Sequence, residues 1–106
     1  MRLAVPIWGD RLSPVLDVAR RLLLLEVDDG RVMSRMEHDL SSADRAQAAS
    51  QLGVTVLICG AVSLQLSRRL SAAGVVVIPN VCGAVEEVVH AYLSGVLLDG
   101  SFTMPE

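Results

Sequence analysis

Residues Val54 to Gly83 read VTVLICG, then AVSLQLSRRLSAAG, then VVVIPNVCG, and their succession decides the fold. Short continuous Val/Ile/Leu runs are the pattern of strands buried on both faces of a parallel sheet. The segment between them has a serine at its start and Gly74 at its end, the punctuation of a helix. The stretch is therefore a strand–helix–strand unit, with strands at Val54–Cys59 and Val75–Ile78. Each run ends on a cysteine beside a glycine, Cys59-Gly60 and Cys82-Gly83, and each then enters a helix. Parallel neighbouring strands finish at one edge, so the unit predicts both cysteines at the edge where open α/β sheets bind ligands.

Upstream, Arg2 to Trp8 reads as a strand apolar on both faces, with Pro6 expected near its end or at a bulge. Gly9 to Val18 is a loop of about ten residues, longer than most connections and so expected to be the mobile part of a site. Leu22–Val27 and Arg31–Glu37 flank Asp29-Gly30, a strong two-residue hairpin signal. The alternation of Arg31–Glu37 suits a half-exposed edge strand. Ser41-x-x-Asp44 opens a helix that Leu52-Gly53 closes.

The next helix is expected to be capped by Ser63 and to bury Leu66, Leu70 and Ala73. In the last, Val85, Val88, Val89, Tyr92, Leu93 and Val96 form one apolar face. His90 follows Glu86 by one turn, which predicts a solvated pair there. The tail from Asp99 to Glu106 gives no assignment.

The order β-β-β-α-β-α-β-α, with right-handed crossovers, predicts an α/β fold with a five-stranded mixed sheet of order 3-2-1-4-5. Strand 2 (Leu22–Val27) alone would run antiparallel. The first two helices would cover one face and the last helix the other.

The composition bounds the function. A chain of 106 residues that is 52% hydrophobic and 20% charged predicts one globular domain, residues 1–106. A net charge of −3 offers no footprint for nucleic acid. No apolar run is long enough to span a bilayer and the N-terminus has no signal-peptide layout, so the expectation is cytoplasmic, with no membrane partner. Two cysteines in such a setting point to a metal, a redox role or packing.

At the shared edge, Cys59, Cys82 and His38 are the candidate metal ligands, and Ser13, Asp17, Gly60 and Gly83 the candidate cofactor-binding positions. Backbone N–H groups at helix N-termini would favour an anionic cargo there. Each residue has a structural reading beside the functional one. Cys59 suits a core, Cys82 a packed loop and His38 an exposed strand end, while Ser13 and Asp17 suit caps of their own loop. Two cysteines do not hold a four-cysteine cluster. The first strand carries no acid and no nucleophile triad or phosphate loop is present, which argues against nuclease or other enzymatic chemistry.

The segments LAVPIWGDRLSPVLDVA, LLLLEVDDGRV, VLICGAVS and VCGAVEEVVHAYLSG resemble the dinitrogenase iron–molybdenum cofactor biosynthesis family, over roughly Arg2 to Leu97. The resemblance implies a ribonuclease-H-like three-layer fold, in agreement with the topology above. It also implies a small accessory protein of nitrogen fixation that binds or carries iron–molybdenum cofactor or an iron–sulfur precursor. Its partners would be the metallocluster and the proteins that donate or accept it, with a homodimer left open. Many members carry His-Phe-Gly in the loop after the first strand, the histidine being a candidate cluster ligand. Here Val15, Leu16 and Asp17 stand at those positions, so that histidine is missing. The other reading is a metal-free regulatory or interaction domain that binds a small anion or a protein partner.

Overall fold

A computed structural model describes residues 1–40 and 44–95. They form an α/β fold around one mixed sheet. Its strands are β1 (Arg2–Trp8), β2 (Arg11–Leu12), β3 (Arg21–Asp28), β4 (Arg31–Asp39), β5 (Val56–Ile58) and β6 (Val76–Ile78). The helices are α1 (Arg45–Gln51), α2 (Leu64–Ala72) and α3 (Val85–Leu93), with a 3₁₀ turn at Leu16–Val18.

The sheet runs β4-β3-β1-β5-β6, and β2 pairs with β1 off this path. The sheet thus has six strands and not the expected five. The sixth is the two-residue β2, folded back on β1 through Gly9 (φ 64), with Ile7 opposite Leu12 and Trp8 opposite Arg11. β3 is antiparallel to both neighbours, whereas β1, β5 and β6 are parallel. Asp29 (φ 51) and Gly30 (φ 74) turn the β3–β4 hairpin with both central residues left-handed, as a type I′ turn requires.

The period of two along the strands sorts the side chains into two cores. Leu3, Val5, Leu23, Leu25 and Ile58 face Val85, Val88 and Val89 of α3. Ala4, Leu22, Leu24, Leu57 and Cys59 share the opposite core with Ala46 and Ala49 of α1 and Leu66 and Leu70 of α2. Burying each large aliphatic side chain contributes about 1.5–3 kcal/mol. Ala73, expected in this core, is instead the exposed C-cap of α2. The N-cap of α1 is Asp44, whose side chain accepts from the Gln47 amide at 3.0 Å. Ser41, Val96 and the tail lie outside the described residues.

Pro6 sits in the middle of β1, opposite Leu22, and is buried. Its carbonyl accepts from the Ser13 amide at 2.9 Å, so its nitrogen faces the side where β1 passes from β5 to β2. The ladder with β5 is recorded only at Leu3 and Ala4, so the missing N–H falls in a gap between ladders.

The Gly9–Val18 segment is not a loose loop. Leu12 N donates to Gly83 O (3.0 Å), Leu16 N to Ala61 O (2.9 Å) and Val85 N to Asp10 O (2.8 Å). Its length reflects bonding to two other turns, which favours slow amide exchange there over the mobility expected from the sequence.

Candidate functional site

β1, β4, β5 and β6 all end at one edge of the sheet, and the Gly9–Val18 segment runs across that edge. It joins the two strand-to-helix turns that the sequence singles out. Arg11 bridges antiparallel to Ala84 at the Cys82-Gly83-Ala84 turn, and Val15 bridges in parallel to Ala61 at the Cys59-Gly60-Ala61 turn. Ala61 N donates to Pro14 O at 2.8 Å, completing the second clasp.

These clasps give both candidate glycines a backbone role. A Cβ on Gly60 would lie 2.5 Å from Pro14 O and 2.9 Å from Ser13 O, so the glycine is there to let two backbones meet. Gly83 (φ 137) adopts a conformation that side chains disfavour, and its carbonyl receives the Leu12 amide. Ser13 is buried, its amide bound to Pro6 O and its hydroxyl 3.5 Å from Val15 O.

Asp17 serves as a second cap for α2. Its Oδ1 accepts from Ser63 N at 2.8 Å and its Oδ2 from the Ser63 hydroxyl at 2.5 Å. Ser63 Oγ in turn accepts from Leu66 N at 3.1 Å, the expected helix cap. Partial burial pushes the Asp17 carboxyl up, but the Ser63 hydroxyl and amide and the charge of Arg45 outweigh it and hold the pKa below the ordinary value. A group depressed in the fold stabilises it at neutral pH, and that contribution is lost as pH falls through the folded pKa. Acidification should therefore lower the urea midpoint of the wild type more than that of Asp17→Asn. Parallel midpoint-against-pH curves for the two proteins would sink this assignment.

The three candidate metal ligands do not share a site. Cys59 is fully buried in the α1/α2 core, and burial, followed by the charge of Asp17, pushes its thiol up to about 12. A thiolate is not populated there at neutral pH. His38 stands opposite Leu22, which is opposite Pro6, and Cys59 continues β5 on the other side of β1. Three strand spacings, about 14 Å, therefore separate His38 from Cys59. His38 faces a groove with Leu24, Met36 and Leu52, where its Nε2 has no hydrogen-bond partner. Among the described residues, no group of three or more His, Cys, Asp or Glu is placed to hold a metal ion.

Cys82 differs from Cys59. It is half-buried, in the turn clasped by β2. Neither cysteine forms a disulfide.

Two features were not singled out in the sequence. Trp8 is 75% exposed and Val18 69% exposed, and both line a groove of about 340 Å³ with Ile7, Ser13 and Arg20. A lone tryptophan at a strand end is the signal that marks it. A charged cleft of about 250 Å³ lies between the starts of α1 and α2, lined by Asp17, Asp44, Arg45, Ser63 and Arg69. Arg69 there pairs with Asp44 at 2.7 Å, and Arg45 donates to Ala19 O at 2.6 Å. Glu86 does not pair with His90 as expected; it meets Arg35 across the sheet at 2.5 Å.

The sequence profile of the dinitrogenase iron-molybdenum cofactor family matches residues 1–95. The chain belongs to that family. Three solved structures carry the same fold. A NifB-type protein from Thermotoga has 26% identity and a TM-score of 0.69, with 90% of this chain and 89% of that one covered. The apo form of the orange protein from Desulfovibrio gigas has 24% identity and a TM-score of 0.76, with 90% and 88% covered. A dinitrogenase-related protein from Methanocaldococcus jannaschii has 17% identity and a TM-score of 0.79, with 91% and 90% covered. A search of the curated proteins finds no match. No helix among the described residues is long and apolar enough to cross a membrane. That family is one associated with the iron-molybdenum cofactor of dinitrogenase.

Proposed function

We propose that this chain binds and carries a metal–sulfur cargo, an iron–sulfur or iron–molybdenum cofactor species, during metallocluster assembly. The observation that carries the reading is the family match over residues 1–95. The site proposed for it is the clasped carboxyl edge, with the half-buried Cys82 as its thiol. Cys59, Asp17 and Gly60 hold the fold, and His38 stands too far away to complete a ligand set. The role is binding, not catalysis.

Cys82 supplies one thiolate. A single protein thiolate holds its cargo weakly, because a cluster takes most of its ligands from elsewhere. For a protein that receives a cluster from one partner and passes it to another, weak attachment is useful. Release then needs only one ligand exchange.

The test is anaerobic incubation with iron and sulfide, or with isolated iron–molybdenum cofactor, followed by gel filtration. Metal content and visible absorbance are read on the protein peak. Wild type should retain metal and a chromophore, Cys82→Ala should lose about nine-tenths of it, and Cys59→Ala should keep it at a lower melting temperature. Wild type eluting without metal, or Cys82→Ala retaining as much, would overturn the proposal.

A further inference from the structure

We infer that the outer edge of β4 docks a second copy of this chain, strand to strand and antiparallel, with Met36 facing Met36 across the two-fold axis. β4 is nine residues long and ends the sheet, and all of it is exposed except the half-buried His38. Among the described residues no strand covers that edge.

The direction of its free backbone groups follows from one bond. Leu40 N donates to Arg20 O at 2.7 Å, so alternate residues Leu40, His38 and Met36 turn their amides toward β3. Arg35 and Glu37 consequently turn their N–H and C=O groups outward. Met33 lies in the register shift opposite Glu26 and Val27, where the regular part of the edge stops.

Edge strands are normally blunted by charged side chains, a proline, a bulge or a covering element, and β4 carries charges and, at Met33, a bulge. β4 has no proline, and its charges change sign along the strand, from Arg31 and Arg35 to Glu37 and Asp39. That order is self-complementary. Centring the two-fold on Arg35 sets Arg35 against itself, and centring it on Glu37 sets Glu37 against itself. Centring on Ser34 runs the pairing through the irregular Met33. Centring on Met36 sets each Arg35 opposite the other copy's Glu37, and these are outward-facing, hydrogen-bonding positions.

Existing ion pairs extend this match. Arg21 holds Glu37 at 3.0 Å, and Arg35 holds Glu86. Arg35 and Glu37 lie opposite Leu25 and Leu23, on the α3 face of the sheet. Across the axis the order becomes Arg21, Glu37, the second copy's Arg35 and the second copy's Glu86, alternating in sign. On the other face Met36, 58% exposed, meets its own copy and extends the groove it lines with Leu24, Leu52 and His38. A two-fold contact of this kind closes on itself and makes a dimer, not a fibre.

The measurement is sedimentation equilibrium over a concentration series on the full chain. Wild type should approach twice the 11.3 kDa chain mass. Arg35→Glu and Glu37→Arg should each weaken self-association about tenfold or more, because each places two like-charged pairs directly opposite. An equimolar mixture of the two should restore the dimer, since both pairs are then complementary. Circular dichroism checks that each variant is folded, as the exposed pairs removed contribute little to stability. As a separate readout, oxidised Met36→Cys should give a crosslink that peptide mapping places between the two copies of position 36. A wild type that stays monomeric throughout overturns the inference. So do variants that associate as wild type does, or a mixture that does not recover.

Discussion

Gly60→Ala should destabilise the fold by about 3 kcal/mol or more, with urea denaturation as the readout. The added Cβ would lie 2.5 Å from Pro14 O, 2.9 Å from Ser13 O and 3.0 Å from the Pro14 carbonyl carbon. All three are backbone atoms, so no rotamer change relieves the contact. Nor is the segment free to withdraw, because Pro14 O accepts the Ala61 amide and Ala61 O accepts the Leu16 amide. Gly74→Ala is the informative control. Gly74 has φ +85 and nothing within 4 Å of its added Cβ, so that substitution meets backbone strain alone, about 1 kcal/mol. Equal losses at the two positions would mean that Gly60 serves conformation and not close approach.

Local chemistry makes much of this fold legible in the sequence. Asp29-Gly30 has its signal in the turn itself, and the β3–β4 hairpin follows from it. The Val/Ile/Leu runs locate β5 and β6, and Ser63 caps α2. What was not legible depends on partners distant in sequence. Arg11-Leu12 has no strand pattern and becomes β2 because β1 and the turn at Ala84 receive it. Pro6 reads as a strand breaker until the change of neighbour beside β1 is known. Glu86 has His90 one turn away on its own helix, yet it pairs with Arg35 across the sheet.

The candidate site shows the same limit more sharply. Two Cys-Gly turns at one edge suggest a shared thiolate site, and the parallel strands do bring the turns to that edge. Which way a side chain points depends on the period of two within each strand. One step places Cys59 with Leu57 and Leu22 in the α1/α2 core, where its thiol stays protonated. Gly60 and Gly83 are candidates in the sequence because backbone N–H groups at helix N-termini favour an anion. At Gly60 the group that approaches is the chain itself.

Leu16→Ala, the second large effect expected, tests whether that approach is a fixed part of the fold. Leu16 is 1% exposed in the core cluster that also holds Leu22, Leu40, Leu66 and Cys59. Truncating a leucine buried to that degree costs about 2–5 kcal/mol, from the lost burial and from the cavity it leaves. The side chain also anchors a segment whose backbone is bonded on both sides, Leu12 to Gly83 and Leu16 to Ala61. Its loss should therefore loosen the clasp before it loosens the sheet. In the wild type, amides of Leu12, Ser13, Leu16 and Ala61 should exchange slowly, while Gly9 and Asp10 at the hairpin tip exchange fast. In Leu16→Ala, the Leu16 and Ala61 amides should speed up more than those of Val5 and Leu23 in the central strands. A segment that were only a mobile lid would behave otherwise: the substitution would cost under about 0.5 kcal/mol, and those four amides would already exchange fast in the wild type.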